Sequence, residues 1–444
     1  MRRLSLILLC PLLMLSCSVL KHEGKSFSED YSTDGYARDY FYLEGARQFD
    51  LGNYDAAMDL YRHTLDIDTA TAAACYNLAQ FYMSFRDRAT SQRYASKADE
   101  LLSRAVRLEP DNYWYRRLLA MNMQRMNRVD DAIAQYEEMA RRFPGRTDLL
   151  LTLAALYDDA GDYGKELRVL TRYGQIEDVA DELKMQRVAC YLELGELDSA
   201  FVESDNPEQI IDLLTNSVSG SLDHMETDMD RLSVRSMIEM LASFCDVAIR
   251  YEPGMASAWK SKAMTCFWMG ERQQGLDALT QGLENVSDAE GKSMLFSFRG
   301  DYYNSLGEKQ KMYADYDSTL VYDPDNIPVL NNYAYFMSVE NRDLKKALEM
   351  SGKTIKAEPL NPTYLDTYAW ILFRMKKYEE AKSYMERALQ YMDDENSDLY
   401  EHYGDVLFMC GDVDGAVENW HRALQLNSSS AVLEQKIKER KYLE

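Results

Sequence analysis

Small residues recur along this chain in a period of about 34 residues, and this feature constrains the fold more than any other. A first set of small side chains lies at Gly45, Ala79, Ala120, Ala154, Val188, Ala263, Gly300, Ala334, Ala369 and Gly404. A second set lies twelve residues later, at Ala57, Ala132, Ala200, Ala381 and Ala416, with Ala98 and Ala347 displaced by insertions. A third set, between these two, is glycine at positions 52, 161, 195, 270, 307 and 411.

Each set has a physical reason if every period is a pair of antiparallel helices. Two helices cross closely only where neither presents more than about a methyl group, which explains the paired small positions. Glycine supplies the left-handed conformation that ends the first helix. Prolines such as Pro110 and Pro144, which lie 34 residues apart, close the unit because proline cannot continue the second helix. The sequence therefore predicts an all-α array of helical hairpins.

Aromatic residues follow the second small position by four residues. We expect them to cover the next turn of the same helix face and to pack against the neighbouring unit. These aromatics are Tyr61, Tyr136, Tyr316 and Trp420.

The register resembles that of the tetratricopeptide repeat family. The segments LGNYDAAMDLYRHTL (51–65), KKYEEAKSYMERALQ (376–390) and GDVDGAVENWHRALQL (411–426) are similar to the second half of its repeat. About eleven such units fit between Arg38 and Ser430. The resemblance implies a right-handed α-solenoid.

The repeats divide into two blocks, residues 38–200 and 236–430. The register is lost over 201–235, where we expect Pro207 to break a helix and residues 217–228 to form a loop. This segment is either a degenerate repeat or a hinge. Residues 431–444 are charged and amphipathic, and they are predicted to form a capping helix because the last repeat cannot leave its apolar face open.

The N-terminus has the pattern of an export signal. Arg2 and Arg3 precede an apolar run that ends at Leu15 and is too short to span a bilayer, so residues 1–16 are predicted to be a cleaved signal peptide. The run stops at Cys17, which resembles the lipobox cysteine of bacterial lipoproteins; the alternative is an ordinary signal peptide with a chance cysteine. Acyl chains on Cys17 would hold the protein on a membrane.

The segment after the cysteine is polar, and residues 17–37 are expected to form a flexible tether with a reach of about 25 Å. Ser18, rather than Asp, follows the cysteine, which is typical of lipoproteins sorted to the outer membrane. The resemblance therefore implies a lipid-anchored protein of the bacterial cell envelope, at the outer membrane and facing the periplasm.

Composition and motifs argue against several classes of function. The net charge is −24, from 50 basic and 74 acidic residues, and nucleic-acid binding requires the opposite balance. The five histidines lack metal-ligand spacing, and neither HExxH nor GxSxG occurs. We therefore predict no enzymatic activity, no metal and no cofactor.

Seven cysteines are present, and five remain once Cys10 and Cys17 are set aside. These five are widely spaced and contain no CxxC pair, so we expect small buried hydrophobic side chains. A single disulfide, such as Cys245–Cys266, remains an alternative.

In tetratricopeptide arrays the first helix of each unit lines a concave groove that holds ligand peptides. Carried over to this chain, the resemblance implies groove residues Tyr42, Tyr76, Gln80, Trp114, Arg117, Met121 and Arg125 in the N-terminal block. In the C-terminal block it implies Lys260, Met264, Phe267, Asn331, Tyr335, Asp366, Trp370, Phe373 and Phe408. We expect about half of them to be buried between adjacent first helices. Arg117 and Asn331 are isolated, so the carboxylate clamp of chaperone-binding relatives is rejected.

The long run of repeats and the missing catalytic patterns favour a non-enzymatic scaffold that binds other envelope proteins or extended peptides. The alternative is an outer-membrane lipoprotein that binds glycans on a similar helical scaffold, although the insertions here are short. The sequence does not indicate the partner's identity, the pathway or the oligomeric state.

Overall fold

A computed structural model describes residues 33–85, 88–177, 181–224, 227–427 and 429–443. These residues contain 23 α-helices and no β-strand. The chain forms two compact units, divided between Asp205 and Asn206. None of the helices in the described ranges combines the length and apolar character needed to cross a bilayer.

The first unit contains five helical hairpins. Their helices are α1 (Thr33–Asp50) with α2 (Tyr54–Ile67), α3 (Ala72–Ser84) with α4 (Arg88–Leu108), α5 (Tyr113–Arg125) with α6 (Val129–Arg142), α7 (Asp148–Ala160) with α8 (Tyr163–Gly174), and α9 (Asp181–Glu193) with α10 (Leu197–Glu203).

The second unit contains six hairpins and a last single helix. They are α11 (Pro207–Leu222) with α12 (Asp228–Tyr251), α13 (Ala256–Trp268) with α14 (Arg272–Asn285), α15 (Ala289–Ser305) with α16 (Lys309–Tyr322), α17 (Ile327–Val339) with α18 (Leu344–Ala357), α19 (Pro362–Arg374) with α20 (Tyr378–Tyr391), α21 (Ser397–Met409) with α22 (Val413–Leu426), and α23 (Ala431–Glu439). The eleven hairpins in the described chain confirm the predicted all-α fold and its number of repeats.

The predicted small positions are the places where the paired helices meet. Every member of the first and second sets is buried, and the seven alanines of the second set have no exposed surface. The glycines of the third set all have positive φ, from +70° to +92°, as a left-handed helix end requires. Asn127, Asn341 and Lys376 have positive φ at the corresponding turns of other hairpins, although none of them is glycine.

The aromatic residues contact both their own hairpin and the next one. A Cβ added to Gly404 would lie 2.5 Å from Trp420 Cδ1, and one added to Gly300 would lie 2.8 Å from Tyr316 Cδ1. The residue after each of these glycines is an aspartate that accepts the aromatic's polar hydrogen, as Asp405 does from Trp420 Nε1 at 2.9 Å. Tyr316 also reaches the next hairpin, where its ring centroid lies 5.9 Å from that of Tyr333.

Two expectations about the segment 201–235 were wrong. Pro207 does not break a helix; it is the first residue of α11, where a missing N–H does no harm, and the Asn206 side chain accepts a hydrogen bond from the third helical N–H at 3.2 Å. Residues 217–222 are the last part of this helix and not a loop. The two units divide inside this segment, and a hinge there stays a prediction.

The structure changes one boundary at the N-terminus. Helix α1 begins at Thr33, so residues 33–37 of the predicted tether are helical. The predicted signal peptide, the lipidation site Cys17 and the rest of the tether lie outside the described residues.

Helix α23 packs on α22 at the end of the second unit and carries a buried cation. Lys436 is 2% exposed, and its Nζ lies 2.8 Å from both carboxylate oxygens of Asp405 and from Glu401 Oε1. Burial raises the pKa of Asp405 to about 6, because it outweighs the opposing effect of Lys436. The last helix is therefore held by a buried ion pair as well as by apolar side chains such as Leu433.

Candidate functional site

First helices of successive hairpins contact one another within the second unit, as α17 with α19 and α19 with α21 do. Together with the loop 392–396, these three helices enclose a cavity of about 430 Å³. Its acidic residues are Asp366, Asp393, Asp394 and Asp398, and none of its fourteen lining residues, all of which the structure describes, is Lys or Arg. We call this cavity the acidic pocket.

Side-chain caps fix the starts of the helices that carry the pocket. The Asn361 Oδ1 accepts hydrogen bonds from two N–H groups in the first turn of α19, at 3.1 and 3.4 Å. Asn396 caps α21 in the same way, at 2.8 and 3.1 Å. Asparagine is favoured at this position because its side chain satisfies helical N–H groups that have no partner within the helix. The Asn396 cap places Asp398 in the first turn of α21, at the mouth of the pocket.

A histidine and an aspartate join α21 to α19 at the base of the pocket. His402 Nδ1 lies 2.9 Å from Asp366 Oδ1 and 3.1 Å from its Oδ2, and the imidazole stacks on Trp370 with 4.1 Å between ring centroids. Burial lowers the pKa of His402, but Asp366, helped by Asp405 and Asp398, outweighs burial and raises the pKa above its ordinary value. The protonated imidazole is therefore favoured, with Nδ1–H donating to Asp366.

Asn331 contributes an unsatisfied acceptor to the pocket wall. The residue is 4% exposed, and its Oδ1 has no hydrogen-bond partner within the described chain. Its Nδ2 reaches Asn332 Oδ1 only at 3.5 Å. A buried carbonyl oxygen without a partner costs about 1–3 kcal/mol. A ligand that donates a hydrogen bond to this oxygen would recover that free energy.

The predicted groove residues of the C-terminal block divide into three groups. Asn331, Tyr335 and Asp366 line the acidic pocket together. Trp370 and Phe373 are buried and stack on each other, with 4.8 Å between ring centroids, so they support the pocket from below.

The remaining four residues of that block lie elsewhere on the first helices. Lys260 lines a separate cavity, formed mainly by α15 and residues 322–328, with its Nζ 5.7 Å from the Phe298 ring centroid. Phe267 stacks on Tyr302 at 3.5 Å between ring centroids, and Phe408 packs 6.0 Å from Trp420. Met264 is half-buried.

The seven candidates of the N-terminal block are not gathered into one pocket. Tyr42, Tyr76 and Arg117 are half-buried. Arg125 donates to the carbonyl oxygens of Met83 and Phe85, the latter at 2.9 Å, and so caps the C-terminal end of α3. The exposed candidates are Gln80, Trp114, Met121 and Arg125.

Gln80 lines an apolar cavity of about 410 Å³ at the first two hairpins. Its aromatic walls include Phe49, Tyr54 and Phe81, whose rings meet edge to face. The Gln80 side chain donates a hydrogen bond to Tyr76 Oη at 3.0 Å. This cavity offers apolar contact area and few polar groups, so it is a less specific site than the acidic pocket.

Sequence reasoning missed His402 and the carboxylates of the loop 392–396. The histidines have no metal-ligand spacing, yet His402 lies one residue after the position that supplies Asn331 and Asp366 in the preceding repeats. Applying the groove register to that neighbouring position would have found it. The loop carboxylates follow no repeat position, and only the fold brings them to the pocket mouth.

Metal and thiol chemistry have no visible site in the described part of the chain. No group of three or more His, Cys, Asp or Glu residues there has an arrangement that could hold a metal ion. Five cysteines are free thiols, including Cys245 and Cys266, and Cys75, Cys190 and Cys245 are buried. Burial raises the pKa of Cys245 to about 12, so this thiol is not poised for reaction.

Comparison with known proteins yields one family and several distant relatives. A family model described as tetratricopeptide repeat matches residues 251–429. A TPR repeat-containing protein of Pseudomonas aeruginosa is 26% identical over 120 residues, which cover 27% of this chain and 20% of that protein. A TPR repeat-containing protein of Methanocaldococcus jannaschii is 22% identical over 171 residues, 35% of this chain and 30% of that protein. The chain thus spans less than a third of the length of these relatives.

Similar solved structures include the Cut9–Hcn1 hetero-tetramer of the APC/C, 14% identical with a TM-score of 0.40, covering 91% of this chain and 96% of that one. The PilF structure from Pseudomonas aeruginosa is 16% identical with a TM-score of 0.42 and covers 53% and 99%. Residues 251–429 are therefore tetratricopeptide repeats, and the spacing of small residues and the eleven hairpins of the described chain follow the same pattern.

Proposed function

We propose that the protein is a non-enzymatic scaffold that binds an extended segment of another envelope protein along the first helices of its second unit. The observation that carries the proposal is the acidic pocket, because three successive first helices contribute to it and its wall includes a buried acceptor without a partner. Half-buried aromatics such as Tyr335 offer contact area with little loss of rotamer entropy.

The proposal includes a membrane anchor at Cys17. Its support is the sequence: two arginines, an apolar run and a cysteine where the run stops. Lipid on this cysteine and a polar tether would keep the repeats near the bacterial outer membrane, facing the periplasm. The partner is therefore sought among proteins of the envelope.

Site-specific crosslinking tests the binding face. Tyr335 in the full chain is replaced by the photo-crosslinking amino acid p-benzoylphenylalanine, and cells are irradiated before purification. The matched control carries the same replacement at Tyr251, an exposed tyrosine at the end of a second helix. We expect a discrete crosslinked protein from the Tyr335 position and none from Tyr251. Equal crosslinking from both positions, or none from either, would contradict the proposed face.

Membrane fractionation tests the anchor separately. Cys17→Ala is expected to move the protein from the membrane to the soluble fraction, whereas Cys10→Ala, inside the predicted signal peptide, is expected to leave it membrane-bound. Retention of the Cys17→Ala variant on membranes would place the anchor elsewhere.

The glycan-binding alternative draws on the same cavity, since carboxylates, amides and an aromatic ring also suit sugar hydroxyls. Titration calorimetry with oligosaccharides distinguishes the two. Saturable binding that Asn331→Leu removes would favour the glycan function, and heats of dilution alone would favour the scaffold.

A further inference from the structure

The acidic pocket has a strongly one-sided charge. Asp393, Asp394 and Asp398 are exposed at its mouth, and no hydrogen bond or ion pair within the described chain reaches their carboxylate oxygens. The neighbouring Glu395, by contrast, is paired with Arg422. No Lys or Arg lines the pocket, and among its lining residues only His402, which is already paired with Asp366, can carry positive charge. The field at the mouth therefore favours a cation.

Two hydrogen-bond acceptors lie further inside the pocket. The interior acceptors are Asn331 Oδ1, which is buried and unpartnered, and the Asp366 carboxylate, whose two oxygens lie 2.9 and 3.1 Å from His402 Nδ1. Tyr335 adds an aromatic ring to the wall. A group that fits this lining must donate several hydrogen bonds, carry positive charge and tolerate contact with a ring face.

A metal ion does not satisfy these conditions. Among the described residues, no cluster of three or more His, Cys, Asp or Glu has the arrangement of a metal site. The carboxylates are spread from the mouth to the base, which suits an extended organic cation better than a single ion.

We propose that the acidic pocket binds an arginine side chain of the partner protein. This inference rests on the proposed scaffold function and names the chemistry of its partner. The planar guanidinium presents five N–H donors, so one such group can donate to an amide oxygen and to carboxylates at the same time. Lysine has only three donors around one atom and binds as a point charge, so arginine is preferred.

Fluorescence anisotropy of the full chain with fluorescein-labelled hexa-arginine tests the proposal. Hexa-citrulline is the matched probe, because citrulline keeps the shape of arginine without its charge. Salt is held at a physiological level to screen the general field of an acidic protein. We expect hexa-arginine to bind at least about tenfold more tightly than hexa-citrulline, the difference that one charge-assisted hydrogen bond provides.

Two variants locate the binding. Asp394→Asn with Asp398→Asn removes two exposed charges at the mouth and is expected to weaken hexa-arginine binding about tenfold. The control, Glu418→Gln with Glu434→Gln, removes two exposed charges from α22 and α23 and is expected to change binding less than twofold. Asn331→Leu changes no charge and is expected to weaken binding about tenfold, with its thermal midpoint measured to show that it folds.

The outcomes of these experiments separate failure of the arginine site from failure of the scaffold function. Equal weakening by the two double variants, or equal binding of hexa-citrulline, would overturn the arginine site. If Tyr335 crosslinks to a partner while hexa-arginine fails to bind, the scaffold function stands and this inference fails. If Tyr335 also fails to crosslink, the scaffold function fails with it.

Discussion

Adding one methyl group to Gly404 tests whether the close contact of α21 with α22 holds the last hairpin together. The new Cβ would lie 2.5 Å from Trp420 Cδ1, 2.6 Å from its Nε1 and 3.0 Å from the Ala416 carbonyl oxygen. Trp420 has no exposed surface, and its Nε1 is bound to Asp405, so the indole cannot move aside. Overpacking of this severity costs about 3 kcal/mol, while alanine gains about 1 kcal/mol over glycine in a helix interior. The net expected loss for Gly404→Ala is about 2 kcal/mol.

The assay is thermal unfolding followed by circular dichroism. For a folding unit the size of the second one, a loss of about 2 kcal/mol lowers the midpoint by roughly 4–8 °C. Gly352→Ala is the matched control, because its added Cβ would meet only Tyr368 Cε2, at an ordinary 3.9 Å. The control is expected to raise the midpoint slightly through helix propensity. A Gly404→Ala protein as stable as the wild type, or a control equally destabilised, would refute the reasoning.

Three further substitutions test other parts of the fold. Lys436→Ala leaves the Asp405 carboxyl buried without its ion-pair partner, so we expect a loss of about 3–5 kcal/mol in urea unfolding. Lys376→Gly relieves a left-handed lysine (φ +63°) and is expected to stabilise the protein by about 1 kcal/mol in the same assay. His402→Gln should flatten the pH dependence of the thermal midpoint. Because Asp366 raises the folded pKa of His402, its stabilisation is full below the unfolded value of 6.5 and is lost as the pH rises through the folded value.

Two of these substitutions have matched controls, and the third has a contradicting outcome. The double variant Lys436→Met with Asp405→Asn leaves no buried charge at that site and should lose much less stability than Lys436→Ala. Lys377→Gly, next to the left-handed position but at φ −95°, should give no gain. If the thermal midpoint of the wild type rose between pH 6 and 8 relative to that of His402→Gln, the raised pKa of His402 would be contradicted. The charged neighbours of this histidine, Asp366, Asp398 and Asp405, are all acidic.

The repeat and its hairpin contacts could be predicted from sequence because they depend on local sterics. Gly300 and Gly404 are required by the aromatic rings that cover them, and Gly411 by a left-handed turn with φ +92°. Such requirements recur in most units, so their period is visible. Lys376 fills the same kind of turn without being glycine, because the hairpin contacts around it outweigh the local strain.

The features that could not be predicted are those for which the local sequence allows more than one structure. Pro207 can end one helix or begin the next, and only the asparagine before it favours the second outcome. The pairing of His402 with Asp366 joins residues 36 apart in different repeats, and such a contact has no local signal. The buried position of Lys436 likewise depends on a carboxylate in another helix, since an isolated lysine in a charged segment would be expected on the surface.

The buried ion pair of α23 has a consequence for ligand binding at the acidic pocket. Arrays of this kind lose structure from their termini, since each hairpin is supported only by its neighbours. The terminal hairpin, α21 with α22, supplies Asp398 and His402 to the acidic pocket, and α23 is the sole element of the described chain that follows it. Removing residues 431–444 would therefore unfold the pocket wall made by α21 while the wall made by α17 stayed folded. Loss of this C-terminal segment is expected to abolish ligand binding at the pocket before it unfolds the protein.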